Sequence, residues 1–150
     1  MPEALLVHAT TVAIGGRAVL LRGPSGSGKS DLALRLIDAG ARLVADDRSE
    51  LWREGDAILV RAPVAIAGLV EARGVGILRI DSVALARLSL IVDLAAPEAI
   101  ERLPEPQSET ILGLAIPLIA LAPFEASAPA KLRLALDALA GDGTTARIQC

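Results

Sequence analysis

The sequence predicts an α/β fold, and three observations carry that expectation. A β-rich run leads directly into a glycine-rich loop and then into a helical period. Short apolar runs flank glycine turn pairs, as in β-hairpins. Two further apolar runs end abruptly in aspartate. The chain has 150 residues, 53% hydrophobic and 22% charged. That is the length of one domain and enough apolar material for a core, so a single domain over residues 1–150 is expected.

Taken in order, Val12 to Arg22 reads as a hairpin turning at Gly15-Gly16, with Ala18-Val19-Leu20-Leu21 running into Gly23. From Ser30 to Ala39 the apolar pairs Leu32/Leu36 and Ala33/Ile37 fall at i, i+4, a helix that Gly40 stops. Arg42 to Ala45 reads as a strand ending at Asp46-Asp47. Leu51 to Arg53 and Ala57 to Val60 flank Glu54-Gly55-Asp56 as a second hairpin. Gly74 and Gly76 mark a glycine-bearing loop. Leu88 to Leu94 is a buried strand ending beside Asp93, and Ala96 to Gln107, with its prolines and acids, is mostly loop. Thr110 to Leu121 reads as two strands around Gly113. Lys131 to Leu139 sets Leu132, Leu136 and Leu139 on one helical face before a stop at Gly141.

Several function classes are disfavoured. The net charge is −3, and Trp52 and Phe124 are the only aromatic residues. A duplex-binding protein needs a basic footprint, and single-strand binders need rows of stacking rings, so no nucleic-acid partner is expected. The mean hydropathy of +0.52 calls for a check on membrane spans. The uncharged stretch from Thr110 to Phe124 is broken by Pro117 and Pro123 and is too short for a spanning helix. No basic segment precedes the apolar start, so no secretory leader is expected. Cys150 is the sole cysteine, which excludes an intrachain disulfide and fits a cytoplasmic protein. The large apolar share leads us to expect surface for a homo-oligomer.

The chemistry lies in Gly23-Pro24-Ser25-Gly26-Ser27-Gly28-Lys29-Ser30. Its spacing is that of a phosphate-binding loop between a strand and a helix. Small residues let backbone N–H groups curl around phosphate oxygens, and the following helix turns its positive end toward the same anion. Lys29 adds a compact charge for the terminal phosphates, and the Ser30 hydroxyl suits Mg²⁺. Phosphoryl transfer also needs carboxylates for metal and acceptor. Two runs could deliver one, Leu43-Val44-Ala45-Asp46-Asp47 and Leu90-Ile91-Val92-Asp93. The paired acids favour the first. If that strand continues, Asp46 and Asp47 face opposite sides, one toward metal and the other toward the acceptor.

The combination of Gly23 to Ser30, Arg42-Leu43-Val44-Ala45-Asp46-Asp47 and Glu71-Ala72-Arg73-Gly74-Val75-Gly76 resembles the bacterial HPr kinase/phosphorylase family. The likeness extends upstream to His8 and downstream to Arg102, and it corresponds to the C-terminal catalytic domain of the longer members. It implies a phosphate-loop fold with a mixed sheet akin to phosphoenolpyruvate carboxykinase. It also implies ATP and Mg²⁺ as cofactors, and as partner HPr, a serine-phosphorylated carrier of the sugar phosphotransferase system. Carried over, Lys29 matches the phosphate-loop lysine, Ser30 and Glu71 the magnesium ligands, and Asp47 the base that deprotonates the acceptor. His8 and Arg102 match two further active-site positions, read as phosphate-charge partners. Where the family carries a Pro-Val-Arg-Pro-Gly-Arg loop, this chain has Pro123-Phe124-Glu125 through Lys131 without an arginine. The reverse, phosphorolytic direction wants a basic loop there.

Without the resemblance, His8 reads as a packed strand histidine, Glu71 and Arg73 as a surface ion pair, and Arg102 as a solvated loop charge. The leading expectation is Mg²⁺-dependent serine phosphorylation of an HPr-like protein. A small-molecule kinase and an ATP- or phosphate-sensing regulatory module are the rivals.

Overall fold

The computed structural model describes residues 3–139. Gly141 and Cys150 lie outside the described residues. The chain opens with a short strand β1 (Leu5–Val7), then β2 (Ala9–Ile14) and β3 (Arg17–Arg22). Gly15 and Gly16 both adopt positive φ, the geometry of a tight hairpin turn that matches strand twist. Helix α1 (Lys29–Asp38) follows the glycine-rich loop. It ends as its sequence requires: Gly40 takes φ 111°, its N–H reaches the carbonyl of Ile37, and that of Ala41 reaches Leu36. Those bonds satisfy carbonyls that the helix leaves open.

Next come β4 (Arg42–Ala45) and the hairpin of β5 (Ser49–Glu54) with β6 (Ala57–Arg61). The stretch around Gly74 and Gly76, expected as loop, is instead a hairpin of β7 (Leu69–Ala72) and β8 (Gly76–Arg79), paired antiparallel. Strand β9 (Ala86–Leu94) leads through a short 3₁₀ turn to β10 (Gln107–Ile111) and β11 (Leu114–Leu121), and helix α2 (Ala128–Leu139) follows.

Among the described residues, nine strands form one mixed sheet: seven follow the order β1-β5-β6-β9-β3-β2-β4, and β11, with β10 against it, branches from β9. Strand β9 is its axis. Along one edge it runs parallel to β3; along the other, β6 covers its start and β11 runs parallel to its end. The register with β3 slips between Ala18 and Val19, leaving Ser89 as an extra residue. That bulge explains why Leu88 and Ile91, three apart, both join the core on the same side.

The two faces of the sheet are buried differently. Leu21 of β3 and Leu90 and Val92 of β9 pack against Leu32 and Leu36 of α1 and Leu132 and Leu136 of α2. The opposite core, around Leu20, Leu51, Ile58 and Ile91, comes from strands alone. Leu32 and Leu36 are fully buried, so truncating either to Ala costs about 2–5 kcal/mol. This packing fixes α1, and with it the phosphate loop, against the ends of β3 and β9. No helix among the described residues is long and apolar enough to cross a membrane.

Candidate active site

The loop from Gly23 to Ser30 closes on itself. The N–H of Ser27 donates to the carbonyl of Pro24 at 3.0 Å. The Lys29 ammonium, almost buried, donates to the carbonyls of Gly23 (2.6 Å) and Pro24 (3.1 Å). A Cβ on Gly23 would stand 2.4 Å from Ser27 Oγ, and one on Gly28 2.9 Å from the Phe124 ring. Gly23 is required by the close approach of Ser27, and Gly28 by its left-handed φ of 102°. Gly28 is also the N-cap of α1 and offers no side chain to its first turn. The Ser27 hydroxyl oxygen is buried without a hydrogen-bond partner among the described residues.

Asp46 joins the loop to the rest of the site. Its Oδ1 accepts the Ser30 hydroxyl at 2.9 Å and the Thr10 hydroxyl at 3.2 Å, and its Oδ2 accepts the N–H of Glu71 at 2.9 Å. Three elements, β2, α1 and β7, thus meet on one buried carboxylate. Thr10 Oγ1 in turn accepts the N–H of Asp47 at 3.0 Å. The strand does not continue past Ala45, so the expected alternation of Asp46 and Asp47 does not apply. A backbone bend separates them instead: Asp47 takes φ 68°, left-handed, and stands exposed. Aspartate tolerates that conformation better than most residues.

A cavity of about 420 Å³ gathers these groups, with Lys29, Ser30, Asp46, Asp47, Glu71 and Arg73 on its wall and Phe124 at its rim. A second cavity of about 350 Å³ shares Asp46, Asp47 and Glu71, and its remaining wall is mostly apolar: Ile66, Leu69, Val70 and Ile77. The oxygen-only set of Ser30, Asp46 and Glu71 fits a hard cation such as Mg²⁺. Glu71 and Arg73 form no salt bridge with each other, contrary to the bland reading of that pair.

Other candidate residues are placed differently. His8 is exposed at the bend between β1 and β2, not packed within a strand. Ala9 pairs with Arg22, so His8 lies at the end of the hairpin where Gly23 begins the loop. Arg102 is exposed in the loop before β10 and is not on the wall of either cavity. Asp93, the rival acid, is engaged elsewhere. The guanidinium of Arg22 grips it at 2.7 and 3.0 Å and grips Glu109 at 2.7 and 2.8 Å. These bonds, from Glu109 first and then Asp93, raise the Arg22 pKa further above its ordinary range, and the bond from Arg22 holds Glu109 below the usual glutamate range.

Thr10, Arg73 and Phe124 escaped the sequence reading as site residues. Thr10 had one signal, as one of two adjacent hydroxyls, Thr10-Thr11, in an otherwise apolar strand. Phe124 had another, as one of only two aromatic residues.

Comparison with known proteins places the chain in a family. Residues 1–132 match the family described as HPr Serine kinase C-terminal domain. The HPr kinase/phosphorylase of Leptothrix cholodnii is 41% identical over 128 residues, covering 77% of this chain and 39% of that protein. That of Peptoclostridium acidaminophilum is 46% identical over 94 residues, covering 60% of this chain and 30% of that protein. A solved structure of the Hpr(Ser) kinase/phosphatase from Coxiella burnetii superposes with a TM-score of 0.76 at 28% identity, over 85% of this chain and 91% of that one. The chain spans well under half the length of the curated relatives it matches. It belongs to the family of HPr serine kinase C-terminal domains.

Proposed function

We propose that this chain transfers the γ-phosphate of ATP to a serine hydroxyl of an HPr-like phosphocarrier protein, in a Mg²⁺-dependent reaction in the cytoplasm. The observation that carries this reading is the position of Asp47, an exposed carboxylate on the wall shared by a phosphate-loop cavity and an apolar one. The acceptor oxygen attacks the γ-phosphorus, the bond to the β–γ bridging oxygen breaks, ADP leaves, and the serine proton passes to Asp47. Lys29 and the loop N–H groups hold the triphosphate and offset the charge that spreads over the transferring group. Ser30 and Glu71 would hold Mg²⁺, which when bound neutralises phosphate charge.

Asp46 acts behind them. By accepting the Ser30 hydroxyl and the Glu71 N–H on the wall of the cavity it fixes both, as a positioning residue. Arg73 adds a cation on the cavity wall. His8, beside Gly23, is a further phosphate-charge partner in this reading, and Arg102, exposed in the loop before β10, is the second. The apolar wall of the second cavity favours a protein acceptor over a small polar one. The relatives named HPr kinase/phosphorylase supply its identity as HPr. Within Pro123 to Lys131 the only charges, Glu125 and Lys131, pair with each other at 2.9 Å. That loop offers inorganic phosphate no unpaired cation, which supports the forward direction.

The test is transfer of labelled γ-phosphate from MgATP to purified HPr-type carrier. Label on a serine, lost with Asp47→Asn, is the expected result. MgATP binding with no label on the carrier would overturn it and favour a sensing module or a small-molecule acceptor.

A further inference from the structure

We propose that Phe124 is the platform on which the nucleobase of the bound nucleotide stacks. The inference rests on the phosphate-loop reading and extends it to the far end of the nucleotide. It begins with the order of strands. Across the sheet, β11, β9, β3, β2 and β4 lie side by side, and β11, β9 and β3 run parallel. Their carboxyl ends therefore open on one edge, where ligands bind in α/β sheets. The phosphate loop follows β3. The acids of the transfer site follow β4, two strands to one side, and Phe124 follows β11, two strands to the other. At the usual strand spacing, the axes of β4 and β11 stand about 10 Å from that of β3 on opposite sides, and their side chains reach back to the loop, Asp46 to Ser30 and Phe124 to Gly28. A triphosphate whose transferred end meets Asp47 must send its nucleoside toward β11.

What waits there is an aromatic face. Phe124 is 69% exposed, yet its ring touches the space above Gly28 and lines the same cavity as Lys29 and Ser30. The chain's other aromatic residue, Trp52, is packed under the Arg61 guanidinium at 4.7 Å. The backbone that carries the ring is also held in place. Arg35 of α1 donates to the carbonyls of Pro123 and Glu125 on either side of it. The N–H of Ala128 closes the segment onto Glu125 at 3.1 Å. An exposed ring on a braced loop loses little entropy on stacking a base. One ring cannot serve a nucleic-acid strand, but it suffices for one nucleotide.

The experiment compares two ligands that differ in the nucleoside, MgATP and magnesium tripolyphosphate, on the full chain. Phe124→Ala should raise the dissociation constant for MgATP about tenfold. It should leave that for tripolyphosphate within about twofold, the size of a neutral surface change. Phe124→Trp should keep MgATP affinity, and MgATP but not tripolyphosphate should quench the new indole. Equal shifts for both ligands, or no shift for either, would overturn the proposal. Lys29→Ala separates the two readings. If it abolishes tripolyphosphate binding while Phe124→Ala leaves MgATP binding untouched, the phosphate loop stands and the platform falls. A wild-type chain that binds neither ligand sinks both.

Discussion

β4 and β9 each end an apolar run in aspartate, and in sequence the two look interchangeable. In the fold they serve different ends. Asp93 sits opposite Arg22 in the register of two central parallel strands, so a guanidinium meets it at once and Glu109 closes the clasp from β10. Asp46 and Asp47 follow a strand that pairs with β2, whose nearest polar group is the Thr10 hydroxyl. A hydroxyl orients a carboxylate without neutralising it. What decides whether a strand-end acid serves chemistry or stability is the partner its neighbour brings, and that partner is distant in sequence.

The contrast can be broken by exchanging charge at each end. Asp47→Asn should lower phosphoryl transfer by about 100- to 10,000-fold, the usual worth of a positioned base, while MgATP affinity stays near wild type. Asp93→Asn should leave transfer within about twofold. Equal losses in single-turnover assays would erase the distinction. Asp46→Ala should act on both stability and metal use. Removing a buried carboxylate that accepts three hydrogen bonds leaves the Ser30 and Thr10 O–H donors and the Glu71 N–H without their acceptor, at a cost of about 2 kcal/mol or more. Urea unfolding together with a magnesium titration checks it, and an unchanged magnesium requirement would remove Asp46 from its positioning role.

Much of this was legible in sequence because it is local. The phosphate loop, the Gly15-Gly16 turn and the Gly40 stop are each written within a few residues. The β7–β8 hairpin was not, because Gly74 and Gly76 look like loop until Glu71 pairs with Ile77 across them. The bend at Asp47 was missed for a related reason: it depends on Thr10, 37 positions away. Phe124 acquires meaning only when α1 brings Gly28 beneath it. Local rules supply elements and loops, whereas the site's hydrogen bonds join residues the chain keeps apart.

At the other strand end the expected effects are smaller. Arg22→Met leaves Asp93 and Glu109 side by side without their counter-charge. Their side chains are 43% and 36% exposed, so solvent screens much of the loss and about 1 kcal/mol of stability should go. The loss should fade in acid, where carboxylates take up protons. No change in the unfolding midpoint at neutral pH would mean that the clasp is only a surface contact.

The finest cut is through Glu109 alone. Hydrogen bonding from Arg22 holds its pKa below the usual glutamate value, against the opposing pull of partial burial. A depressed carboxylate favours the folded state at any pH above its unfolded pKa, and that contribution disappears as pH falls through the folded pKa. Wild type should therefore exceed Glu109→Gln in stability at about pH 7, by less than about 1 kcal/mol for so exposed a group, and the two should converge in acid, once the pH has fallen below the folded-state pKa. Urea unfolding at neutral and at acid pH measures the difference. A gap that persists unchanged in acid would trace it to lost packing rather than to charge. Phosphoryl transfer at neutral pH should hardly register the substitution, since Glu109 answers to Arg22 and not to the cavity, whereas at Asp47 the loss of the same single charge removes the base.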